Sequence, residues 1–192
     1  NFSSLPILAD FFLNNKNIEN TIIVSSDEGG KIRAKKIADL LNLQMLCLKK
    51  TRDRETGLVS IEEKLDLAVH GKDAILIDDM ISTGKSIVKA CEVLKKNKIR
   101  KIIVLCTHAL LLDNALEIIM EAGVHEIIST NSIPNNCSKV DLAPILSNVV
   151  FGIGPRINAA GRIAHAKTAV HLLLAENGTE AEKFAALINE KN

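Results

Sequence analysis

The chain has 192 residues, of which 47% are hydrophobic, and its 24 basic and 23 acidic residues leave a net charge of +1. This length and apolar content suit one domain, or at most two, with a substantial buried core. The balanced charge gives no electrostatic reason for binding nucleic acid or a membrane surface, and no apolar run approaches the ~20 residues of a membrane span.

The first predicted strand is the β-branched run Thr21–Ser26, which leads through Asp27 and two glycines into a helix. At such a strand-loop-helix junction Asp27 either caps the helix or faces a metal ion. Gly29 and Gly30 allow the backbone to approach a ligand closely. The apolar positions of the helix that follows are Ile32, Ile37, Leu40 and Leu41.

A further strand, Leu43–Leu48, precedes a cationic segment that we expect to be a polar loop. Its basic residues are Lys49, Lys50, Arg52 and Arg54. A cationic loop is usually solvated surface, so charge alone assigns it no function.

The segment AILIDDMISTGKSI is the most informative part of the chain. Its apolar start, Ala74–Ile77, predicts a buried strand with Asp78 and Asp79 at the carboxyl end. A helical pattern follows Ser82, with an apolar face of Ile87, Val88, Cys91 and Leu94. Ligands of open α/β sheets bind at the carboxyl ends of the strands, and backbone amides at a helix N-terminus bind anions. We therefore predict that the two carboxylates bind hydroxyl groups or a metal ion, and that the backbone amides at the start of the helix bind a phosphate.

Three simpler interpretations compete with this one. A helix N-cap explains one aspartate but not two. A nucleotide-binding P-loop needs a glycine five residues before Gly84, where this chain has Asp79, so it is excluded. A plain strand-to-helix connection would not need a hydroxyl-rich turn directly after paired acids.

The remaining elements continue the strand-helix alternation. They are a strand over Lys101–Thr107, a helix over Leu110–Glu121, a strand over Glu126–Thr130, and a short strand and helix over Val140–Leu146. His108 ends a strand, but a lone histidine is more often structural, and we leave it outside the catalytic set. Thr130–Ser132 is expected to be a turn. The four cysteines (47, 91, 106 and 137) lack metal-site spacing, so reduced thiols and a cytoplasmic protein are expected.

LIDDMISTGKS closely resembles the ribose-phosphate loop of the type I phosphoribosyltransferase fold, which runs two acids, three or four residues, then Thr-Gly-Gly-Thr. Four neighbouring blocks resemble archaeal phosphoribosyl pyrophosphate synthetase: SSDEGGKIRAKKIADLL, KKTRDRETG, CTHALLLDNALEIIMEAGVHEIISTNSIP and SKVDLAPIL. The expected fold is thus α/β, a doubly wound, mostly parallel sheet of the type I phosphoribosyltransferase fold.

The resemblance implies transfer of pyrophosphate from Mg-ATP to the 1-hydroxyl of ribose 5-phosphate. It implies that Asp78 and Asp79 hold the ribose hydroxyls with Mg²⁺, which Asp27 helps to organise. It also implies a binding loop for the 5-phosphate of ribose 5-phosphate or of phosphoribosyl pyrophosphate. This loop consists of Ser82, Thr83, Gly84, Lys85 and Ser86. Lys50 and Arg52 match the catalytic pair that closes over the transferring phosphates.

The sequence departs from this family at three places. Lys85 stands where the family prefers Gly, and either adds a favourable charge or crowds the loop. The chain begins at a helix, Leu5–Leu13, that introduces the second of the family's two domains, so we expect the ATP-binding half to be absent and synthesis to be weak or absent. The family forms dimers or hexamers, which makes a homo-oligomer an expected assembly.

The third departure is the tail, where GIGPRINAAGR resembles a segment of bacterial RecJ single-strand exonucleases. We predict a helix over Ala160–Ala175, a stop at Asn177–Gly178, and a last helix capped by Thr179 with Glu182, which together form a helical hairpin packed on the sheet. The predicted domains are residues 1–149 and 150–192. The chain has no Asp-His-His triplet, so nuclease chemistry is not expected.

Two alternatives to a synthetase half remain open. The join of two families suggests a recombined or engineered hybrid, which would be a non-catalytic scaffold. Another phosphoribosyltransferase, releasing pyrophosphate as a base attacks, is disfavoured because the sequence shows no hood for a base.

Overall fold

The computed structural model describes residues 3–48, 50–52, 59–61 and 69–147, with 178, 179, 182, 183 and 186 in the tail. The chain divides into two compact units, Asn1–Leu142 and Ala143–Asn192. Most of the second unit lies outside the described residues. The predicted domain boundary after residue 149 and the helical hairpin therefore stay predictions.

The first unit alternates strands and helices along the chain. Its elements are α1 (Leu5–Asn15), β1 (Thr21–Ser25), a 3-10 turn (Glu28–Gly30), α2 (Lys31–Leu41), β2 (Gln44–Cys47), β3 (Lys50–Arg52), β4 (Val59–Ile61), β5 (Asp73–Ile81), α3 (Lys85–Lys96), β6 (Lys101–Ala109), α4 (Ala115–Glu121), β7 (Glu126–Thr130) and β8 (Ser138–Val140). In the second unit, α5 spans Ala143–Ser147.

Six strands form one parallel sheet in the order β2-β1-β5-β6-β7-β8. The order reverses between β1 and β5, which places a topological switch point there. The α/β fold with a mostly parallel sheet is confirmed. β3 and β4 pair antiparallel as a separate two-stranded sheet.

The sheet is buried on both faces, which is why its central strands are continuous apolar runs. Successive residues of β5 alternate between two cores: Ala74 and Leu76 pack with residues of α3 and α4, whereas Ile75 and Ile77 pack with residues of α1 and α2. All four cysteine thiols are free, as expected for reduced thiols.

The apolar face predicted for α2 is partly wrong. Ile32 is 73% exposed and Leu40 is 47% exposed. The buried residues are instead Ala34, Ile37, Ala38 and Leu41, which recur at the 3.6-residue helical period. The small alanines bring this helix close to the sheet, a role that a count of large apolar residues does not reveal.

Several predicted boundaries also need correction. β5 runs to Ile81, so the two acids lie within the strand rather than after it. α4 begins at Ala115 instead of Leu110, because Leu111 and Asp113 have positive φ angles of 51° and 53°. The amides of Leu110 and Leu111 donate to the carbonyl oxygen of Ile81 instead of entering a helix.

Two segments predicted without regular structure have it. Lys50–Arg52 is a strand rather than part of a loop. In the tail, Gly178 and Thr179 are both helical, so Thr179 is not the cap that precedes the last helix; Asn177, where the preceding helix is predicted to stop, lies outside the described residues. The predicted turn at Asn131 and Ser132 is confirmed, whereas Thr130 still belongs to β7.

Candidate functional site

The switch point brings together the two polar loops that the sequence singles out. β1 and β5 are neighbours, with Ser25 opposite Ile77. Because the strands are parallel, the loop at Asp27 and the acids Asp78 and Asp79 lie at the same edge of the sheet. Ligands of open α/β sheets bind in the crevice at such an edge.

Asp78 and Asp79 are held by the backbone of their own strand. Asp78 Oδ1 accepts a hydrogen bond from the Asp79 amide at 2.8 Å, and Asp79 Oδ1 accepts one from the Met80 amide at 2.9 Å. The Asp78 side chain is 20% exposed, whereas that of Asp79 is 57% exposed. The pair therefore offers one sheltered and one open carboxyl group.

The two carboxyl groups differ in acidity. Burial, followed by the hydrogen bond to Asp79, raises the pKa of Asp78 from 3.8 to about 6. For Asp79, burial alone would raise the pKa, but the hydrogen bond with Asp78 and the charge of Arg33 outweigh it and lower the pKa. The pair thus holds a proton between its members more readily than two isolated carboxyls would.

Arg33 is the cation that faces this pair, and the sequence analysis missed it. Its Nη2 lies 3.2 Å from Asp79 Oδ1 and 3.9 Å from Asp78 Oδ1. Arg33 belongs to α2, which follows the Asp27 loop, and it directly precedes the buried Ala34. The sequence offered one signal for Arg33: it is a charged residue in the first turn of the helix that follows the Asp27 loop.

The turn after the acids opens into the first turn of α3. Its first helical hydrogen bond runs from the Val88 amide to the Gly84 carbonyl, so the amides of Lys85, Ser86 and Ile87 have no partner within the helix. A cavity of about 70 Å³ lies here, lined by Asp78, Met80, Ile81, Ser82, Thr83, Gly84, Lys85, Ser86 and Ile87. A single water needs roughly 15 Å³.

The predicted phosphate residues and Asp78 thus share one cavity. Lys85 is the first residue of α3 and is exposed, whereas Gly84 before it has a φ of 74°. Position 84 is therefore the one that needs glycine.

Asp27 takes the capping role that the sequence left open. Its Oδ1 accepts a hydrogen bond from the Gly30 amide at 3.1 Å, at the start of the 3-10 turn. Within the described part of the chain, no three or more His, Cys, Asp or Glu side chains form a group that could hold a metal ion. Asp27 therefore does not join Asp78 and Asp79 in such a group here.

Lys50 and Arg52 lie in β3, whose side chains are outside the described residues. The backbone of β3 pairs with β4, and β4 lies next to α3. This places the cationic strand in a hairpin that reaches the helix after the acid pair. Whether its charges face the acids stays a prediction.

Two other polar features lie away from the acid pair. His108 Nδ1 is 2.8 Å from Ser132 Oγ at the ends of β6 and β7. A larger cavity, about 650 Å³, lies at the opposite edge of the sheet, where Thr21, Asp73 and Lys101 begin their strands. Of the helices described, none has the length and apolar character to cross a bilayer.

A parallel sheet of this order, with an acid pair beside its switch point and a glycine turn leading into the next helix, defines the class of the type I phosphoribosyltransferase fold. Orotate phosphoribosyltransferase from Aeropyrum pernix shares the fold, with a TM-score of 0.51 at 22% identity over 78% of this chain and 77% of that one. Residues 61–167 match the family model of the phosphoribosyl synthetase-associated domain, and the chain belongs to that family.

Its relatives include the ribose-phosphate pyrophosphokinase of Sulfurisphaera tokodaii, 38% identical over 70% of this chain and 47% of that protein. The ribose-phosphate pyrophosphokinase of Bacillus subtilis is 37% identical over 78% of this chain and 48% of its own length. A crystal structure of phosphoribosylpyrophosphate synthetase from Mycobacterium smegmatis matches with a TM-score of 0.66 at 28% identity, over 79% of this chain and 51% of that one. The chain thus spans about half the length of these relatives.

Proposed function

We propose that this chain is the ribose 5-phosphate and phosphoribosyl pyrophosphate binding domain of a ribose-phosphate pyrophosphokinase. The observation that carries the proposal is the cavity that Asp78 shares with the first turn of α3. The Asp78 carboxylate and the helix amides without a partner inside α3 line the same cavity, and they match a sugar hydroxyl group and a phosphate on one molecule.

Each part of the site has a defined task in this proposal. The carboxylates of Asp78 and Asp79 accept hydrogen bonds from the ribose hydroxyls. The amides of the segment Ser82–Ser86 donate to the 5-phosphate, and the exposed Lys85 adds a positive charge beside them. The 1-hydroxyl of the sugar then faces the donor of the pyrophosphoryl group.

The acid pair also fits Mg²⁺, which the family implies. Both ligands are carboxylate oxygens, which Mg²⁺ prefers. Asp78 has a raised pKa beside Asp79, so a divalent cation would stabilise the ionised form of both carboxyl groups. Asp78 and Asp79 would hold the ion, whereas Asp27 shapes the neighbouring loop through its hydrogen bond with the Gly30 amide. When bound, Mg²⁺ neutralises phosphate charge and orients the sugar.

Catalysis requires more than the sugar site. We propose that Lys50 and Arg52 stabilise charge on the transferring phosphates, supported by the position of the β3–β4 hairpin next to α3. ATP is the proposed donor, as the relatives' name, ribose-phosphate pyrophosphokinase, suggests. Because these 192 residues span about half of such relatives, we propose that they bind the sugar phosphate but synthesise weakly or not at all.

Calorimetry with ribose 5-phosphate and Mg²⁺ tests the binding proposal. The wild-type chain should release heat on binding, and the double variant Asp78→Ala plus Asp79→Ala should lose it. Asp73→Ala, at the other end of β5, is the matched control and should keep the heat. Equal heats of binding in the wild type and the double variant, or no heat of binding in either, would refute the proposal.

An assay for AMP formed from ATP and ribose 5-phosphate separates an enzyme from a binding domain. We expect little or no AMP from this chain alone, and less still from Lys50→Ala or Arg52→Ala if residual activity exists. Rapid turnover that survives both substitutions would contradict the roles given to these residues. Base-dependent release of pyrophosphate would instead favour another phosphoribosyltransferase.

The RecJ-like tail and the hybrid origin stay proposals that rest on sequence resemblance alone. The family match ends at residue 167, past the proposed junction at residues 149–150. Mass measurement of the assembly in native buffer tests whether the chain forms the dimers or hexamers expected of the family.

A further inference from the structure

We propose that Arg33 competes with the divalent cation for the acid pair, so that its guanidinium sets the affinity for metal. This inference rests on the proposed role of Asp78 and Asp79 as cation ligands. Arg33 would occupy the two carboxylates before the cation arrives and would release them when the cation binds.

The geometry places a single nitrogen against both acids. Arg33 Nη2 lies within 4 Å of Oδ1 of Asp79 and Oδ1 of Asp78, at 3.2 and 3.9 Å. Mg²⁺ binds carboxylate oxygen at roughly 2.1 Å, closer than the guanidinium nitrogen approaches either acid, so a cation held by both acids would have to displace Arg33. The guanidinium and a cation would therefore compete for the same two carboxylates.

The rest of the guanidinium is weakly tied. Arg33 Nε is buried and has no hydrogen-bond partner in the described structure. A firmly anchored arginine would use this donor, since a buried donor without an acceptor carries a cost. Because moving the guanidinium breaks no hydrogen bond at Nε, the carboxylates are the main contacts that a cation must replace.

The side chain also has somewhere to go. It is 32% exposed, so the displaced guanidinium can be solvated or can meet a phosphate of the ligand. A divalent cation carries twice the charge of Arg33 and binds the carboxylate oxygens directly, which favours exchange. The observed affinity for the cation is reduced by the free energy needed to displace Arg33 from the carboxylates.

Two models of Arg33 therefore predict opposite results. If Arg33 competes, its removal should strengthen cation binding. If Arg33 is a structural clamp that keeps the carboxyl groups in place, its removal should weaken binding, because the two acids would separate. Loss of one positive charge anywhere also favours cations slightly, so a control must remove an equal charge elsewhere.

Arg100 offers that control. It forms a two-bond ion pair with Asp73, with N–O distances of 2.8 and 2.9 Å, at the amino end of the strand that carries the acid pair. Arg100→Gln changes net charge as Arg33→Gln does, and likewise leaves an aspartate of β5 without its arginine.

The experiment is calorimetric titration of the 192-residue chain with Mn²⁺, and then Mg²⁺, without sugar at pH 7.5. Arg33→Gln should bind about five- to tenfold more tightly than wild type, whereas Arg100→Gln should stay within about twofold. Arg33→Lys keeps the charge and should fall between wild type and Arg33→Gln, which provides a second test should the Gln variant fold poorly.

Unchanged or weaker binding in Arg33→Gln and Arg33→Lys would overturn the inference, and so would the absence of cation binding in every protein. A parallel titration with ribose 5-phosphate at saturating Mg²⁺ separates this failure from that of the proposed function. If the wild type binds ribose 5-phosphate but its cation affinity does not change when Arg33 is replaced, the proposed sugar site is supported and the proposed competition by Arg33 is refuted.

Discussion

Gly84 lies directly against Ile119, which fixes the turn after the acid pair onto α4. A Cβ atom at position 84 would approach Ile119 Cδ1 to 2.7 Å and Cγ1 to 2.8 Å. Gly84 also has a φ of 74°, which side chains rarely adopt. The geometry of the proposed phosphate turn thus depends on a contact with a helix of the hydrophobic core.

We expect Gly84→Ala to destabilise the protein by about 2–4 kcal/mol, because it adds a steric clash to backbone strain. Gly71→Ala is the matched control: its φ is 72°, and no described atom lies within 4 Å of the added Cβ. It should cost only about 1 kcal/mol, the strain alone. Urea unfolding of both variants measures the difference.

A double-mutant cycle isolates the contact itself. Ile119→Ala removes the atoms that a side chain at position 84 would meet, so the double variant should be more stable than the sum of the two single effects predicts. Additive losses would show that backbone strain, rather than the contact with Ile119, explains the glycine.

Gly30 lies against the hydroxyl group of Ser25, much as Gly84 lies against the side chain of Ile119. An added Cβ would lie 2.7 Å from Ser25 Oγ, which donates a 2.7 Å hydrogen bond to the carbonyl oxygen of Asp27. We expect Gly30→Ala to disturb the Asp27 loop and lower stability by about 1–2 kcal/mol.

Ser25→Ala should partly rescue Gly30→Ala in thermal unfolding, because it removes the obstructing oxygen. Gly29→Ala meets only Asp27 Oδ1 at 3.3 Å and is the milder control. A larger loss in Gly29→Ala than in Gly30→Ala would contradict this account of the loop.

The sequence was sufficient for the fold and for the position of the acid pair. Continuous apolar runs such as Ala74–Ile77 predict doubly buried parallel strands, and the two aspartates that follow mark the carboxyl edge. The predicted strand Glu126–Thr130 agrees with β7 residue for residue. These features depend on local pattern, which a single sequence carries.

The rest depends on contacts between distant segments. Arg33 and Asp79 are 46 positions apart in the chain, by the difference of their numbers, and only the pairing of β1 with β5 brings them together. The late start of α4 likewise depends on hydrogen bonds from Leu110 and Leu111 to Ile81. No local periodicity contains that information.

The raised pKa of Asp78 makes stability depend on pH. In the unfolded chain Asp78 ionises near 3.8, but in the folded chain it keeps its proton up to about pH 6. Between these values the folded state binds more protons, so stability falls as pH rises and the full penalty remains above pH 6. Because the lowered pKa of Asp79 offsets part of this penalty, Asp78→Asn should be about 1–2 kcal/mol more stable than wild type at pH 7.5 and equal near pH 3.5.

Urea unfolding in EDTA at both pH values measures this effect without metal. Asp73→Asn is the control, because it breaks the ion pair with Arg100 at the other end of the strand and should not stabilise the protein. A stability of Asp78→Asn at or below that of wild type at pH 7.5 would refute the assignment.

The cysteines should differ in reactivity according to burial and to the charges near Cys47. Burial raises the pKa of Cys91 and Cys106 to about 12, so iodoacetamide at pH 7.5 should modify them only after unfolding. Cys47 is partly exposed; burial raises its pKa from 9.0, and Glu28 Oε1, 3.7 Å from its sulfur, raises it further.

Glu28→Gln should therefore speed alkylation of Cys47 about two- to threefold, because it lowers the pKa of the thiol and increases its thiolate fraction. Lys31→Gln is the opposing control: the charge of Lys31 lowers the pKa of Cys47, so its loss should slow the reaction. Mass spectrometry of the labelled peptides gives both rates. Changes of the same sign in the two variants would mean that loop opening, rather than charge, controls access to Cys47 beside the Asp27 loop.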